Sequence, residues 1–312
     1  MEQEFATGCI ILPEDERDFS YEVLGAENVT LPDEFEVDIP FFFNQKKIDA
    51  CVAMATATAK SFDEHEEQSP RFLWGLCKAA EQYIGYGTSF QQAMKILTTI
   101  GSVPYGTLDE STDVTRDQYM RFELTEDLKA KAVIHKALSY WRAPTWQMAK
   151  QALFEQKKSL VSMCDWHKEY NTPMNGFISP PASSDSTGHM FSLRGWGKLP
   201  TGEEYAKFRN SWGQGWGKSA DFYAKVSDFP LLDIRLFFVL VDMPVEKAKL
   251  VQKYDKKLIK NPNKPEVYYV SKGKIAWINN EAAFEFGRNN GWWGDWADII
   301  EIPDEITKDL TI

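Results

Sequence analysis

Two hydrophobic periods run along this chain. Residues 51–62 (Cys-Val-Ala-Met-Ala-Thr-Ala-Thr-Ala-Lys-Ser-Phe) contain neither Gly nor Pro and read as a helix. Ser69-Pro70 opens a second helix toward Gln82, with Ser as N-cap and Pro at the first helical position. A third spans Ser89 to Ile100, after the loop Gly85-Tyr86-Gly87. Helical readings also fall on residues 124–140 and on Gln147–Phe154. Further on the period shortens. Ser159–Cys164, the stretch from His189, Tyr205–Arg209, Tyr223–Val226 and Leu236–Val241 read as strands, with Leu199-Pro200-Thr201-Gly202 as a hairpin turn.

A break follows. Residues 245–260 hold six lysines and read as a linker helix, stopped by Asn261-Pro262-Asn263-Lys264-Pro265. Beyond it, 267–278 reads as a β-hairpin, Asn280 caps a short helix, Trp292, Trp293 and Trp296 cluster among glycines, and 299–302 reads as a last strand. The expected organisation is an N-terminal arm (1–30), a main domain (31–244), a Lys-rich linker (245–265) and a small Trp-rich module (266–312). A module of about 50 residues is marginal as an independent fold. It is expected to dock on the main domain or on a partner, with its tryptophans either forming a small core or binding a glycan or a protein.

Composition narrows the function classes. The chain has 312 residues, 43% of them hydrophobic, and no run of about 18 apolar residues that would span a bilayer. Its net charge of −11 sits at the N-terminal end, in the arm and the first residues after it: residues 1–38 hold twelve acids and one base, Arg17. The remainder balances, so nucleic-acid binding is not indicated. The acidic arm is either solvated, laid over a basic patch or the cleft, or docked on a protein partner. Cysteines at 9, 51, 77 and 164 and histidines at 65, 135, 167 and 189 show neither paired nor metal-ligand spacing, so no metal, cofactor or disulfide framework is expected. The first residues, Met-Glu-Gln-Glu, lack a basic region and an apolar core. The expected location is the cytoplasm or a virion.

The chemistry starts at Cys51. A thiol at a helix N-terminus meets the positive end of the helix dipole, which favours the thiolate that a cysteine hydrolase uses as nucleophile. Such a site needs a base, an orienting group and oxyanion donors. Gln45 lies six residues before Cys51, Gly188-His189 opens a strand, and Asn210-Ser211-Trp212-Gly213-Gln214-Gly215-Trp216-Gly217 follows.

These three stretches, in this order, resemble papain-like (family C1) cysteine peptidases. Tyr86–Leu97 followed by Gly101, Pro104 and Tyr105 resembles the glycine loop, helix and Pro-Tyr segment after the active-site helix of that family. The resemblance covers about residues 30–230. It implies an α+β, two-lobed fold: a helical lobe, an antiparallel β-barrel lobe and an active-site cleft between them, here with a small β-rich C-terminal module. It implies Cys51 as nucleophile, His189 as its ion-pair partner and general acid, and Asn210 as orienter of the imidazole. Gln45 and the Cys51 N–H would form the oxyanion hole, and Trp212 would cover the Asn210–His189 bond. Tyr86, Gly87, Trp212 and Gly188 would line the substrate side, the glycine loop pairing with the non-primed half of a peptide or protein substrate. Lys46 after the Gln, Ile48 at the family's disulfide position, Asp49-Ala50 before the Cys and Val52 after it depart from the pattern. Leu31-Pro32 to Val37-Asp38 resembles the start of the mature domain, so no helical prosegment is expected. The implied activity is peptide hydrolysis. Alternatives are a papain-fold structural or binding component of a larger assembly, such as a phage virion, and cleavage of cell-wall peptide crosslinks.

Overall fold

A computed structural model describes residues 5–13, 19–20, 30–81, 85–234, 236–242, 253–271 and 274–302. Among these, the chain divides into two compact units, residues 1–132 with 136–242, and 133–135 with 243–312.

In the first unit, strands β1 (Phe19–Ser20) and β2 (Phe35–Glu36) precede helix α1 (Cys51–Glu64). Alanines and threonines make α1 slim enough to be buried on nearly every side, including Lys60, which ion-pairs with Glu64 and Asp242. A buried cation is tolerable only with such partners. Helix α2 (Pro70–Ala80) begins as the sequence predicts: Ser69 Oγ accepts from the Phe72 amide, and Pro70 opens the helix. Helix α3 (Phe90–Thr99) is capped in the same way by Ser89. Both pack against α1, and the three helices share one apolar core.

Residues 124–140, read as helix, divide differently. Helices α4 (Arg116–Met120) and α5 (Glu126–Ala132) are short, and strand β3 (Ala137–Ala143) follows. Pairing with the strand Leu236–Asp242 overrides the Ala/Leu helix propensity here. Helix α6 (Trp146–Gln156) leads into β4 (Leu160–His167), β5 (Ser186–Lys198), β6 (Glu204–Arg209), β7 (Asp221–Lys225), the short helix α7 (Phe229–Leu232) and β8 (Leu236–Asp242). The sheet runs β1-β3-β8-β4-β5-β6-β7, with β2 added on β5. The barrel expected for this lobe is an open sheet: among the described residues no ladder joins β7 to β1. A second core, rich in aromatics, covers it.

In the second unit, β9 (Lys257–Lys260), β10 (Val267–Ser271), β11 (Lys274–Ile278) and β12 (Ile300–Glu301) form a four-stranded sheet in the order β11-β10-β9-β12. Strand β9 falls in the stretch read as linker; residues 245–252 of that stretch lie outside the described residues. Helix α8 (Glu281–Asn289) starts at Asn280, whose side chain accepts from the Ala283 amide. Ile134 packs into this unit's core with Tyr254, Ile259, Val270 and Ile302.

Candidate active site

Strand pairing brings the distant motifs together. β5 and β6 form a hairpin, so His189 near the start of β5 lies beside Asn210, just past the end of β6. Segment 44–45 is tied to 211–212: the Gln45 amide donates to Ser211 O at 2.8 Å, and Asn44 bridges Trp212. Gly213 (φ 77°) closes this turn, where a Cβ would stand 2.7 Å from Asn44 Nδ2. Cys51, the first residue of α1, meets β5 from the other side, where α1 packs on that strand.

The imidazole is held in one orientation. His189 Nε2 lies 2.8 Å from Asn210 Oδ1, which also accepts from the Ser211 amide at 2.8 Å. An amide oxygen only accepts, so Nε2 carries the proton and Nδ1 presents a lone pair. Nδ1 has no hydrogen-bond partner among the described residues. Trp212 stacks on the ring at 4.9 Å, and Trp166 meets it edge-on at 4.8 Å. The two indoles exclude water from the His189–Asn210 bond, which strengthens it. Trp166 is a candidate-site residue that sequence reasoning missed; its neighbour His167 meets Tyr170 edge-on instead.

Gln45 is fully buried. Its Oε1 accepts from Ser211 Oγ, so its amino group is aimed the opposite way, at Ile48 O (2.9 Å) and Ala6 O (3.1 Å). The second of these acceptors belongs to the N-terminal arm. Residues 5–11 run through the cleft, with Cys9 in an isolated parallel bridge to Thr88. Phe5 stacks on Trp212, and Trp212 Nε1 donates to Ala6 O at 2.9 Å. The Gly8 and Cys9 amides donate to Gly188 O. The Thr88 amide donates to Gly8 O at 3.0 Å, and Ile10 returns a bond to Thr88 O at 2.8 Å. The partner on this wall is Thr88; its neighbour Gly87 leaves room for the Gly8 carbonyl, and Tyr86 stands exposed beside it. Gly188 faces Cys9, whose carbonyl oxygen would be 2.0 Å from a Cβ there. The arm thus lies over the cleft, one of the placements open to it from sequence. Gly8 and the apolar run Cys9-Ile10-Ile11-Leu12 inside an acidic segment were the available signal.

Burial governs the electrostatics. With the arm in place Cys51 has no exposed surface, and desolvation pushes its thiol up to about 12, with Asp49 adding in the same direction. Burial likewise lowers His189 to about 4, against the opposing effect of the Asn210 bond. The helix N-terminus therefore does not produce a thiolate here; desolvation outweighs the dipole. The covered pair is a neutral thiol and a neutral imidazole. Asp49 itself is ion-paired with Arg116.

The model of the papain family of cysteine proteases matches residues 77–228, a span that includes His189 and Asn210 but begins after Cys51. No curated protein matches the sequence. Among solved structures, xylellain, a cysteine protease from Xylella fastidiosa, is similar at 20% identity and a TM-score of 0.65, over 76% of this chain and 96% of that one. Procathepsin B S9 from Trypanosoma congolense is similar at 17% identity and a TM-score of 0.59, over 76% and 86%. The bromelain protease of Ananas comosus, in complex with the inhibitor E64, is similar at 16% identity and a TM-score of 0.51, over 68% and 99%.

Proposed function

We propose, on the premise that the chain is a papain-like cysteine peptidase, that it hydrolyses peptide bonds through Cys51, His189, Asn210 and Gln45 and that the arm holds it latent. The observation that carries this reading is the Ala6 carbonyl on Gln45 Nε2. The cleft already binds a backbone segment between Thr88 and Gly188, with a carbonyl at the amide that would stabilise an oxyanion.

In the proposed reaction, His189 Nδ1 takes the Cys51 proton as Sγ attacks the substrate carbonyl carbon. Negative charge on the carbonyl oxygen is met by Gln45 Nε2 and the Cys51 N–H; one such donor is typically worth about 3–4 kcal/mol. The C–N bond then breaks, the amine leaves with the proton from His189, and a thioester remains. Water, deprotonated by His189, attacks the thioester and releases the acid and the thiol. Asn210 holds Nε2–H, and Ser211 turns the Gln45 amide toward the substrate.

The arm is not aligned as a substrate. If the N-terminal half of a substrate lies along the 86–88 loop, as the family resemblance implies, the arm runs backwards. Ala6 lies at Gln45 and Ile10 at Thr88, and the Cys9–Thr88 bridge is parallel.

The filled cleft also favours a second reading, a retired site in a papain-fold structural component. Replacing Gly8 by Val in the full chain separates the two. A peptidase then cleaves unstructured protein substrates and loses that activity with Cys51→Ala; a retired site cleaves nothing even with the arm displaced.

A further inference from the structure

A groove of about 820 Å³ opens beside the cleft and takes no part in the chemistry above. It is lined by Phe5, Ala6 and Thr7 of the arm, which leave when the arm is displaced, and by Lys47, Asp49, Tyr86 and residues 113–118, which stay. Ala6 is also the residue whose carbonyl sits on Gln45 Nε2. Lys47 and Asp49, between Gln45 and Cys51, and Tyr86 of the glycine loop line the groove as well, so it borders the position where a substrate carbonyl would meet Gln45, and it has room for far more than a methyl group.

The charges of the groove are unequally available. Arg116 is fixed from two sides: its Nε pairs with the Asp49 carboxylate, and its guanidinium lies 5.0 Å over the Tyr86 ring. Asp113 is held by Lys46, and Asp117 lies 3.7 Å from Arg121 and 3.5 Å from the Tyr86 hydroxyl. Each carboxylate of the groove thus has a cation of its own. Lys47 is exposed and has no ion pair among the described residues. Counting these partners, Lys46, Lys47, Arg116 and Arg121 face Asp49, Asp113 and Asp117. The Arg116 side chain is 43% exposed and retains donors beyond those given to Asp49. An entering carboxylate meets Lys47 and the outer edge of Arg116. An entering ammonium reaches Asp49 only by competing with a guanidinium already seated there.

We propose that Arg116 and Lys47 make this groove the specificity pocket for an acidic side chain, Asp or Glu, on the residue whose carbonyl is attacked. The proposal rests on the peptidase reading. Arg116 suits the task because its planar fork meets a carboxylate in a fixed geometry, and Asp49 and Tyr86 hold it in place before substrate arrives. Asp49, which departs from the family pattern, thereby gains a role as the anchor of Arg116.

The test uses the full-length Gly8→Val protein and peptidyl acyloxymethyl ketones that differ only in the residue bearing the reactive ketone: Glu, Ala or Lys. Adducts on Cys51 are timed by mass spectrometry, with iodoacetamide as a probe that needs no subsite. If Gly8→Val does not fold, Ile10→Pro, which removes the donor to Thr88 O, replaces it. The Glu probe is expected to react about tenfold faster than the Lys probe, the effect of roughly one charged hydrogen bond. In the Arg116→Ala/Lys47→Ala variant the Glu-to-Lys ratio should fall to about one; a ratio cancels any change in thiol reactivity. Equal rates, or a faster Lys probe, with the native pocket overturn the pocket and leave the peptidase reading standing. Reaction with iodoacetamide but with no peptidyl probe overturns the peptidase reading and this proposal with it.

Discussion

The side-chain amide of Gln45 donates to the carbonyl of Ala6 at 3.1 Å, joining the donor expected to stabilise an oxyanion to a segment 39 residues earlier in the chain. Gln45 cannot serve a substrate while Ala6 occupies it, so the first consequences concern the arm.

Gly8 is the position where the arm has least room. A Cβ there would come within 2.4 Å of Asp49 O and 2.7 Å of Asp49 Cβ, at a φ of +129°. Overpacking of this kind typically costs about 1–3 kcal/mol. In Gly8→Val the arm should leave the cleft. The Thr88 amide, which donates to Gly8 O, should exchange with deuterium at least about tenfold faster than in the wild type. Unchanged protection of Thr88 would mean that the arm is held elsewhere.

Ser211 acts through Gln45. Its hydroxyl holds Gln45 Oε1, and without it the amide is free to turn its oxygen toward the cleft. In the Gly8→Val background, Gln45→Ala is expected to lower kcat by about a hundredfold to a thousandfold. Ser211→Ala should lower kcat by less and leave KM nearly unchanged. Because both act on one donor, the double variant should be no worse than Gln45→Ala alone, and additive losses would contradict the assignment.

Burial of the neutral imidazole has a stability signature. His189 titrates near 4 in the folded chain against an ordinary 6.5, so between these values the unfolded chain binds a proton that the folded chain does not. Its contribution is complete above about 6.5 and is lost as pH falls toward about 4. For Cys51 the sign reverses: a thiol raised from 9.0 to about 12 contributes fully below 9 and loses its contribution as pH climbs past that value. Urea midpoints at pH 5 and pH 7.5 should show the wild type losing stability on acidification relative to His189→Gln. A pH-independent difference would mean that the ring is hydrated.

The site motifs were legible because each is local. Gln45 and Cys51 flank one turn, Cys51 opens a helix free of Gly and Pro, and Asn210 to Gly217 form one loop. Caps at Ser69 and Asn280 carry their own chemistry and appear where the residues predict; Ser89, read as the first residue of its helix, is a cap as well. Features set by distant pairing were not legible. Ala137–Ala143 has a helical composition and becomes a strand through β8. Trp166 reaches His189 only because β4 pairs with β5. Arg116 meets Asp49 across 67 positions, and Ala6 meets Trp212 across 206. No local pattern encodes such contacts.

The most direct test of the central claim is labelling of Cys51 by a peptidyl epoxide, read by intact and peptide mass spectrometry. It compares the wild type, Gly8→Val, and Gly8→Val with His189→Ala. The account predicts slow modification of the wild type, stoichiometric adduct on Cys51 in Gly8→Val, and loss of that adduct when His189 is removed. No adduct in Gly8→Val, or an adduct that forms equally well without His189, would contradict it.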